Sequence, residues 1–240
     1  MQDREVENKI DEILESIKNC SVVISQNDFY QTYHSACALS VDVKGLWMEF
    51  GVYRGTSISN FAKFCPTTIY GFDSFEGLPE TWDDDNKKGT FSLNGKIPMG
   101  FLNKKEGHTD PGMYSREQAP TLTPWPKNVS LIKGWFDDSL PTFLKNHSEK
   151  AAFVHIDSDI YSSAVTILSC LEEENRFQSG TIVAFDELCD YPDYREHEIK
   201  AFAEFLIKTG YKYNSLFYAP VEIDGQTSTY NSACFEIIID

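Results

Sequence analysis

A chain of 240 residues is long enough for one well-buried α/β domain and short for two. Its formal charge of −16 argues against a nucleic-acid groove, because a phosphate backbone requires a positive surface. No apolar run approaches the roughly 20 residues of a membrane span, and the charged start MQDREVENKIDEILESIKNC lacks a secretory hydrophobic region, so a cytoplasmic protein is expected.

Residues 5–19 place Val6, Ile10, Ile13, Leu14 and Ile17 at helical spacing, and 28–43 form a second helical stretch with Tyr30, Tyr33, Ala36, Cys37 and Leu39. Together, over residues 1–44, they are expected as an N-terminal helical cap that either packs on the domain or buries a homo-oligomer interface. LWMEFGVYRGTS follows. It reads as a buried strand near 46–51, a tight glycine turn at Gly51 and Gly55, and a helix near 55–64. The next strand, near 68–73, ends in Asp73, 22 residues after Gly51, a distance at which an acid commonly binds ribose hydroxyls. The glycine pattern is not the dinucleotide fingerprint, and Glu49 before the turn would repel phosphate. That acid suits a cation such as the amine of a methionine moiety, so the spacing fits a nucleoside cofactor; a purely structural turn is the alternative.

From about Gly77 to Lys127 the chain is rich in Gly, Pro, Asn and Lys and shows no clear periodicity. A segment of that length is too long for a plain connection, and Trp82, Phe91, Phe101 and Tyr114 favour a lid over a substrate. The Asp83–Asp85 run reads as solvated acidic surface. Alternation then resumes: a strand near 128–133, a helix near 137–146, a strand near 151–157, a helix near 161–175, a strand near 180–186 and a helix near 195–209. YKYNSLFYAP and SACFEIIID end the chain as two strands joined by a turn at Asp224 and Gly225, which implies an antiparallel edge. The pattern predicts one α/β domain over 1–240 with a doubly wound, mainly parallel sheet.

Two strands end in acids: Asp157, with Asp159 two residues on, in AFVHIDSDIYSS, and Asp186 with Glu187 in TIVAFDEL. Carboxylates converging at the carboxyl edge of a sheet repel one another unless one is protonated or a cation sits among them. Oxygen-only donors suit magnesium, calcium or manganese. Asp159 has a second reading as the N-cap of the following helix. His155, alternating with apolar residues, reads as a buried, hydrogen-bonded histidine; His34 and His108 are candidates to approach the site. There is no GxSxG elbow. The six cysteines (Cys20, Cys37, Cys65, Cys170, Cys189, Cys234) form no CxxC pair and read as reduced core thiols.

Taken in order, MEFGVYRGTS, YGFDSFEGLPE, KGWFDDSLP, HIDSDIYSS and GTIVAFDEL resemble the macrocin O-methyltransferase (TylF-type) family over roughly residues 45–210. The resemblance implies a Rossmann-like class I fold with S-adenosylmethionine and Mg2+ as cofactors, and methyl transfer to a sugar hydroxyl of a small-molecule or glycan acceptor. It implies that Glu49, Gly51 and Gly55 border the methionine end of the cofactor and that Asp73 binds the ribose. Ser74 and Phe75 would lie beside the adenosine, and Gly134 and Trp135 near the adenine edge. Asp157, Asp186 and Glu187 would hold magnesium, with Asp157 also the base; Glu187 stands where family members often have Asp. The 77–127 lid would set acceptor specificity. Two other readings stand beside this one: a catechol-like or other small hydroxylated acceptor, and a noncatalytic cofactor-binding scaffold.

Overall fold

The computed structural model describes residues 2–22, 29–102, 122–223 and 226–240. In chain order its elements are α1 (Gln2–Lys18), β1 (Ser21–Val22), α2 (Phe29–Leu39), β2 (Leu46–Phe50), α3 (Thr56–Phe61), β3 (Ile69–Asp73), β4 (Phe101–Leu102), β5 (Leu122–Thr123), β6 (Val129–Lys133), α4 (Phe136–Leu144), β7 (Ala151–Ile156), α5 (Tyr161–Glu173), β8 (Ile182–Cys189), α6 (Glu198–Thr209), β9 (Lys212–Ile223) and β10 (Gln226–Ile238). Every regular element expected from the sequence forms within a few residues of its expected bounds. The expected turn at Asp224 and Gly225, and His108 and Tyr114 of the expected lid, lie outside the described residues.

Eight strands pair in the order β1-β9-β10-β8-β7-β2-β3-β6. β6, β3, β2, β7 and β8 run parallel, whereas β10 is antiparallel to both β8 and β9. β2 and β7 are buried along their whole length, as the near-continuous apolar runs of central parallel strands require. Their side chains divide by the two-residue period of a strand: Met48 and Phe50 enter a core shared with α1, α4, α5 and α6, while Trp47 enters one shared with α2 and α3. The chain winds from β2 through β3 to β6 on one side, then returns to place β7 on the other side of β2. The carboxyl ends of β2 and β7 are therefore the switch point at which ligands bind in such sheets.

The two N-terminal helices pack on opposite faces of the sheet. α1 buries Val6, Ile10, Ile13 and Ile17 against the α6 side, and each full aliphatic burial contributes roughly 1.5–3 kcal/mol. Arg195 donates to Glu7 and Asp11, both at 2.8 Å; these exposed pairs add at most about 1 kcal/mol each and chiefly orient the helix. α2 lies across the other face, where Tyr33 donates its hydroxyl to the Phe185 carbonyl at 3.0 Å. Among the described residues no helix is long and apolar enough to cross a membrane.

The 77–102 stretch is held by turns and not by long elements. Leu78 and Gly89 pair backbone to backbone, and the amides of Leu93 and Gly95 donate to the Phe75 carbonyl. In the Asp83–Asp85 run Asp84 and Asp85 are exposed, while the half-buried Asp83 accepts at Oδ1 from the amides of Asp85 and Asn86 at 2.8 and 2.7 Å, closing an Asx turn.

Candidate active site

A cavity of about 640 Å³ opens at the switch point, a size suited to small ligands. Its floor is the turn after β2. Gly51 (φ 92°) and Gly55 (φ 77°) hold left-handed conformations, and a Cβ on Gly51 would lie 1.8 Å from the Asp157 carbonyl oxygen. The close approach joins the glycine turn to the strand end that carries the acids, and Asp157 N–H donates to the Phe50 carbonyl at 2.9 Å. Trp125 covers Gly55 and donates its indole N–H to the Pro98 carbonyl at 2.9 Å.

Asp73 clamps this turn. Its Oδ2 accepts from the amides of Val52 and Tyr53 at 2.9 and 2.7 Å, and Oδ1 accepts from Phe75 at 2.6 Å. Asp73→Ala is expected to cost about 1–3 kcal/mol in stability, the penalty for leaving partly buried donors without an acceptor. Urea unfolding of the ligand-free protein measures it, and an unchanged midpoint would show that the clamp contributes nothing.

The sequence-predicted residues divide into two groups. Gly51, Gly55, Asp73, Ser74, Gly134, Trp135, Asp157, Asp186 and Glu187 all line the cavity. Glu49 and Phe75 do not. Phe75 is 1% exposed, turned into the α2–α3 core, and meets the site only through its backbone amide. Glu49 is fully buried; it accepts from Ser57 Oγ at 3.0 Å and faces His155 Nδ1 at 3.2 Å. Glu49 thereby ties β2 to the first turn of α3 through Ser57 and to β7 through His155.

The acids are also arranged differently from the expected set. Asp157, Asp159 and Glu187 each bring an oxygen within 4.8 Å of the others. Asp186 belongs to a second group: its Oδ1 faces His34 Nε2 at 3.3 Å and His155 Nε2 at 3.8 Å. The reason is the strand period. Asp186 and Glu187 are consecutive in β8 and project to opposite faces, so Asp186 reaches α2 while Glu187 turns toward Asp157 and Asp159. Asp159 is not the helix cap either. Ile160 occupies the N-cap of α5, without a side-chain cap bond, and Asp159 sits in a left-handed conformation at φ 66°. His155 is buried and hydrogen-bonded, and His34 reaches the site as a partner of Asp186.

Electrostatics separate the two groups. Burial, then the charge of Asp186, pushes Asp157 well above the ordinary carboxylate range, against the pull of His155. Burial with Asp186, Asp83 and Asp73 raises Asp159 to about 7. Glu187 is raised well above its usual value by burial and by Asp186, Asp157, Asp159 and Glu198. Burial also acts on Asp186, but His155 and His34 outweigh it and hold the group below its ordinary value. Three carboxylates whose ionised forms are penalised together, one of them (Glu187) with a buried oxygen that has no hydrogen-bond partner, form a donor set suited to a hard divalent cation.

Two residues of the site escaped the sequence reading. Glu198, the first residue of α6, is fully buried and accepts from the Ser158 amide and hydroxyl at 3.1 and 2.9 Å, fixing the loop between Asp157 and Asp159. Burial and Asp159 raise it to about 8 against those two bonds; in sequence it looks like any acid in a first helical turn. Arg54 lines the cavity in the glycine turn itself, and a cation between two glycines in so acidic a chain was the available signal.

The family model for macrocin-O-methyltransferase (TylF) matches residues 32–205. A mycinamicin III 3''-O-methyltransferase of Micromonospora griseorubida is 24% identical over 177 residues; the match covers 68% of this chain and 63% of that protein's length. Among solved structures, the calicheamicin methyltransferase CalS11 superposes with a TM-score of 0.54 at 22% identity, over 85% of this chain and 77% of that one. The O-methyltransferase NovP superposes at 0.53 and 18% identity, over 87% and 79%. At these identities the two structures support the fold.

Proposed function

Because the chain belongs to the macrocin-O-methyltransferase (TylF) family, we propose that it is a magnesium-dependent enzyme that transfers the methyl group of S-adenosylmethionine to a sugar hydroxyl. The observation that carries this reading is the convergence of Asp157, Asp159 and Glu187 on the cavity whose floor is the glycine turn. The mycinamicin relative, a 3''-O-methyltransferase by name, supports oxygen as the methyl acceptor.

In this reading the adenosine end of the cofactor lies toward Asp73, Ser74, Gly134 and Trp135, and the sulfonium faces the acids, whose negative field favours a cation. The residues fitted to hold magnesium are Asp157, Asp159 and Glu187, in place of the Asp157, Asp186 and Glu187 set that the resemblance implied. When bound there, the ion supplies the positive charge that makes an acceptor hydroxyl more acidic. The protein's own residues do the rest. Asp157 takes the hydroxyl proton as the oxygen–methyl bond forms and the sulfur–methyl bond breaks. Asp186, fixed by His34 and His155, adds negative charge behind it. Trp82 and Leu78 line the same cavity and, in this reading, would pack against the acceptor.

The test is methyl transfer from labelled cofactor to a panel of glycosides and catechols, with and without chelator. Transfer to glycosides should vanish with EDTA and return on adding magnesium. Turnover of catechols alone would assign a small hydroxylated acceptor, and S-adenosylhomocysteine binding without turnover on any acceptor would make the chain a scaffold. Undiminished activity after chelation, with metal analysis confirming removal, would exclude the cation.

A further inference from the structure

Arg54 is a cation that the acids of the cavity leave unpaired. The cavity is lined by Asp73, Asp137, Asp157, Asp159, Asp186 and Glu187 together with Arg54. Among the described residues, however, the guanidinium forms no ion pair and no hydrogen bond. Its Nε is buried without a partner, and the group lies over the Tyr53 ring, with Cζ 5.1 Å from the centroid. A guanidinium stays charged at any physiological pH and carries five donors in a planar fork. Leaving even the one Nε donor buried and unmet is costly, and in a chain of net charge −16 carboxylates are plentiful. A fork held on an aromatic face, clear of those acids, is set to receive a planar anion from a ligand.

The position of Arg54 selects the anion. It stands between Gly51 and Gly55, in the turn that Asp73 clamps through Val52 and Tyr53. On the reading that this is a methyltransferase, the cofactor carries one anionic group, the α-carboxylate of its methionine portion. That carboxylate is repelled at Asp73 on one side and at Asp157, Asp159 and Glu187 on the other. Glu49, the residue the sequence pointed to for the amino-acid end, has no exposed surface. We propose that Arg54 binds the α-carboxylate of the cofactor through its guanidinium fork. This inference rests on the methyltransferase reading and adds to it the residue that distinguishes an amino-acid-bearing cofactor from a bare nucleoside.

Calorimetry with two ligands tests it. One is S-adenosylhomocysteine; the other is its decarboxylated analogue, 5′-deoxy-5′-(3-aminopropylthio)adenosine, which keeps the thioether and the amine. In the wild-type protein, removing the carboxylate should cost about 10- to 100-fold in affinity, the range for a charge-assisted hydrogen bond. In Arg54→Gln the same removal should cost less than about 2-fold, because only S-adenosylhomocysteine has lost a partner; Arg54→Lys, with charge but no fork, should fall between. The wild-type comparison needs no variant to fold. Equal losses for both ligands in Arg54→Gln would make Arg54 a support of the turn and overturn the assignment. So would unchanged affinity for both. A wild-type protein that binds neither adenosyl ligand would overturn the methyltransferase reading itself and this assignment with it.

Discussion

Asp157→Asn is expected to slow single-turnover methyl transfer by about 10²- to 10⁴-fold at saturating cofactor and magnesium, the usual contribution of a positioned general base. The amide keeps the shape of the side chain and can offer one oxygen to a cation, but it cannot accept a proton. Saturating magnesium suppresses any defect in metal binding, so what remains is the proton transfer. The neighbouring acids should respond differently. Asp159→Asn should raise the magnesium concentration needed for half-maximal activity and recover at saturation. Asp186→Asn should appear first as a loss of stability, about 3–5 kcal/mol by urea unfolding, because it leaves His34 and His155 buried beside a group that no longer compensates them. A wild-type rate for Asp157→Asn under saturating conditions would reduce that residue to a ligand and pass the role of base to Asp159. A magnesium requirement raised by Asp186→Asn but not by Asp159→Asn would restore the acid set implied by the resemblance.

The contrast between these two acids shows where sequence ceases to specify a site. The strand ends were legible because the near-continuous apolar runs LWMEF, AAFVHI and IVAF mark central parallel strands, and an acid at the end of such a run has only the carboxyl edge to occupy. Which acids meet was not legible. Asp186 and Glu187 look like a pair in one dimension, but the strand period sends them to opposite faces. Asp159 looks like a cap, yet its left-handed backbone turns it back toward Asp157.

Other features were hidden because they are properties of contact. The order of residues 77–102 comes from an Asx turn at Asp83 and from amides reaching back to Phe75, neither of which leaves a periodic trace. The double duty of Asp73 was partly visible: its distance from Gly51 suggested a ligand contact, but not that three backbone amides already hold it. Arg54 is the extreme case, since its significance lies in the partners it lacks, which only the folded arrangement can reveal.

Gly51→Ala should be the most disruptive single-methyl change in the site, costing more than about 4 kcal/mol or preventing folding, the range reserved for severe steric or backbone conflict. Two penalties combine. A non-glycine residue at φ 92° carries backbone strain of roughly 1–3 kcal/mol. The added Cβ would also stand 1.8 Å from the Asp157 carbonyl oxygen and 2.8 Å from its carbon, and both are backbone atoms with no rotamer to change. Relief requires β2 and β7 to separate at their carboxyl ends, which breaks the Asp157–Phe50 hydrogen bond and moves the acids away from the turn. Gly89→Ala separates the two penalties. Gly89 has nearly the same φ, 88°, but nothing lies within 4 Å of its added Cβ. That variant should lose only the conformational part, about 1–2 kcal/mol, and keep full affinity for S-adenosylhomocysteine. Urea unfolding of both variants decides the point: similar losses would mean that the contact between the glycine turn and Asp157 relaxes freely, and that the switch point is held together by something other than this close approach.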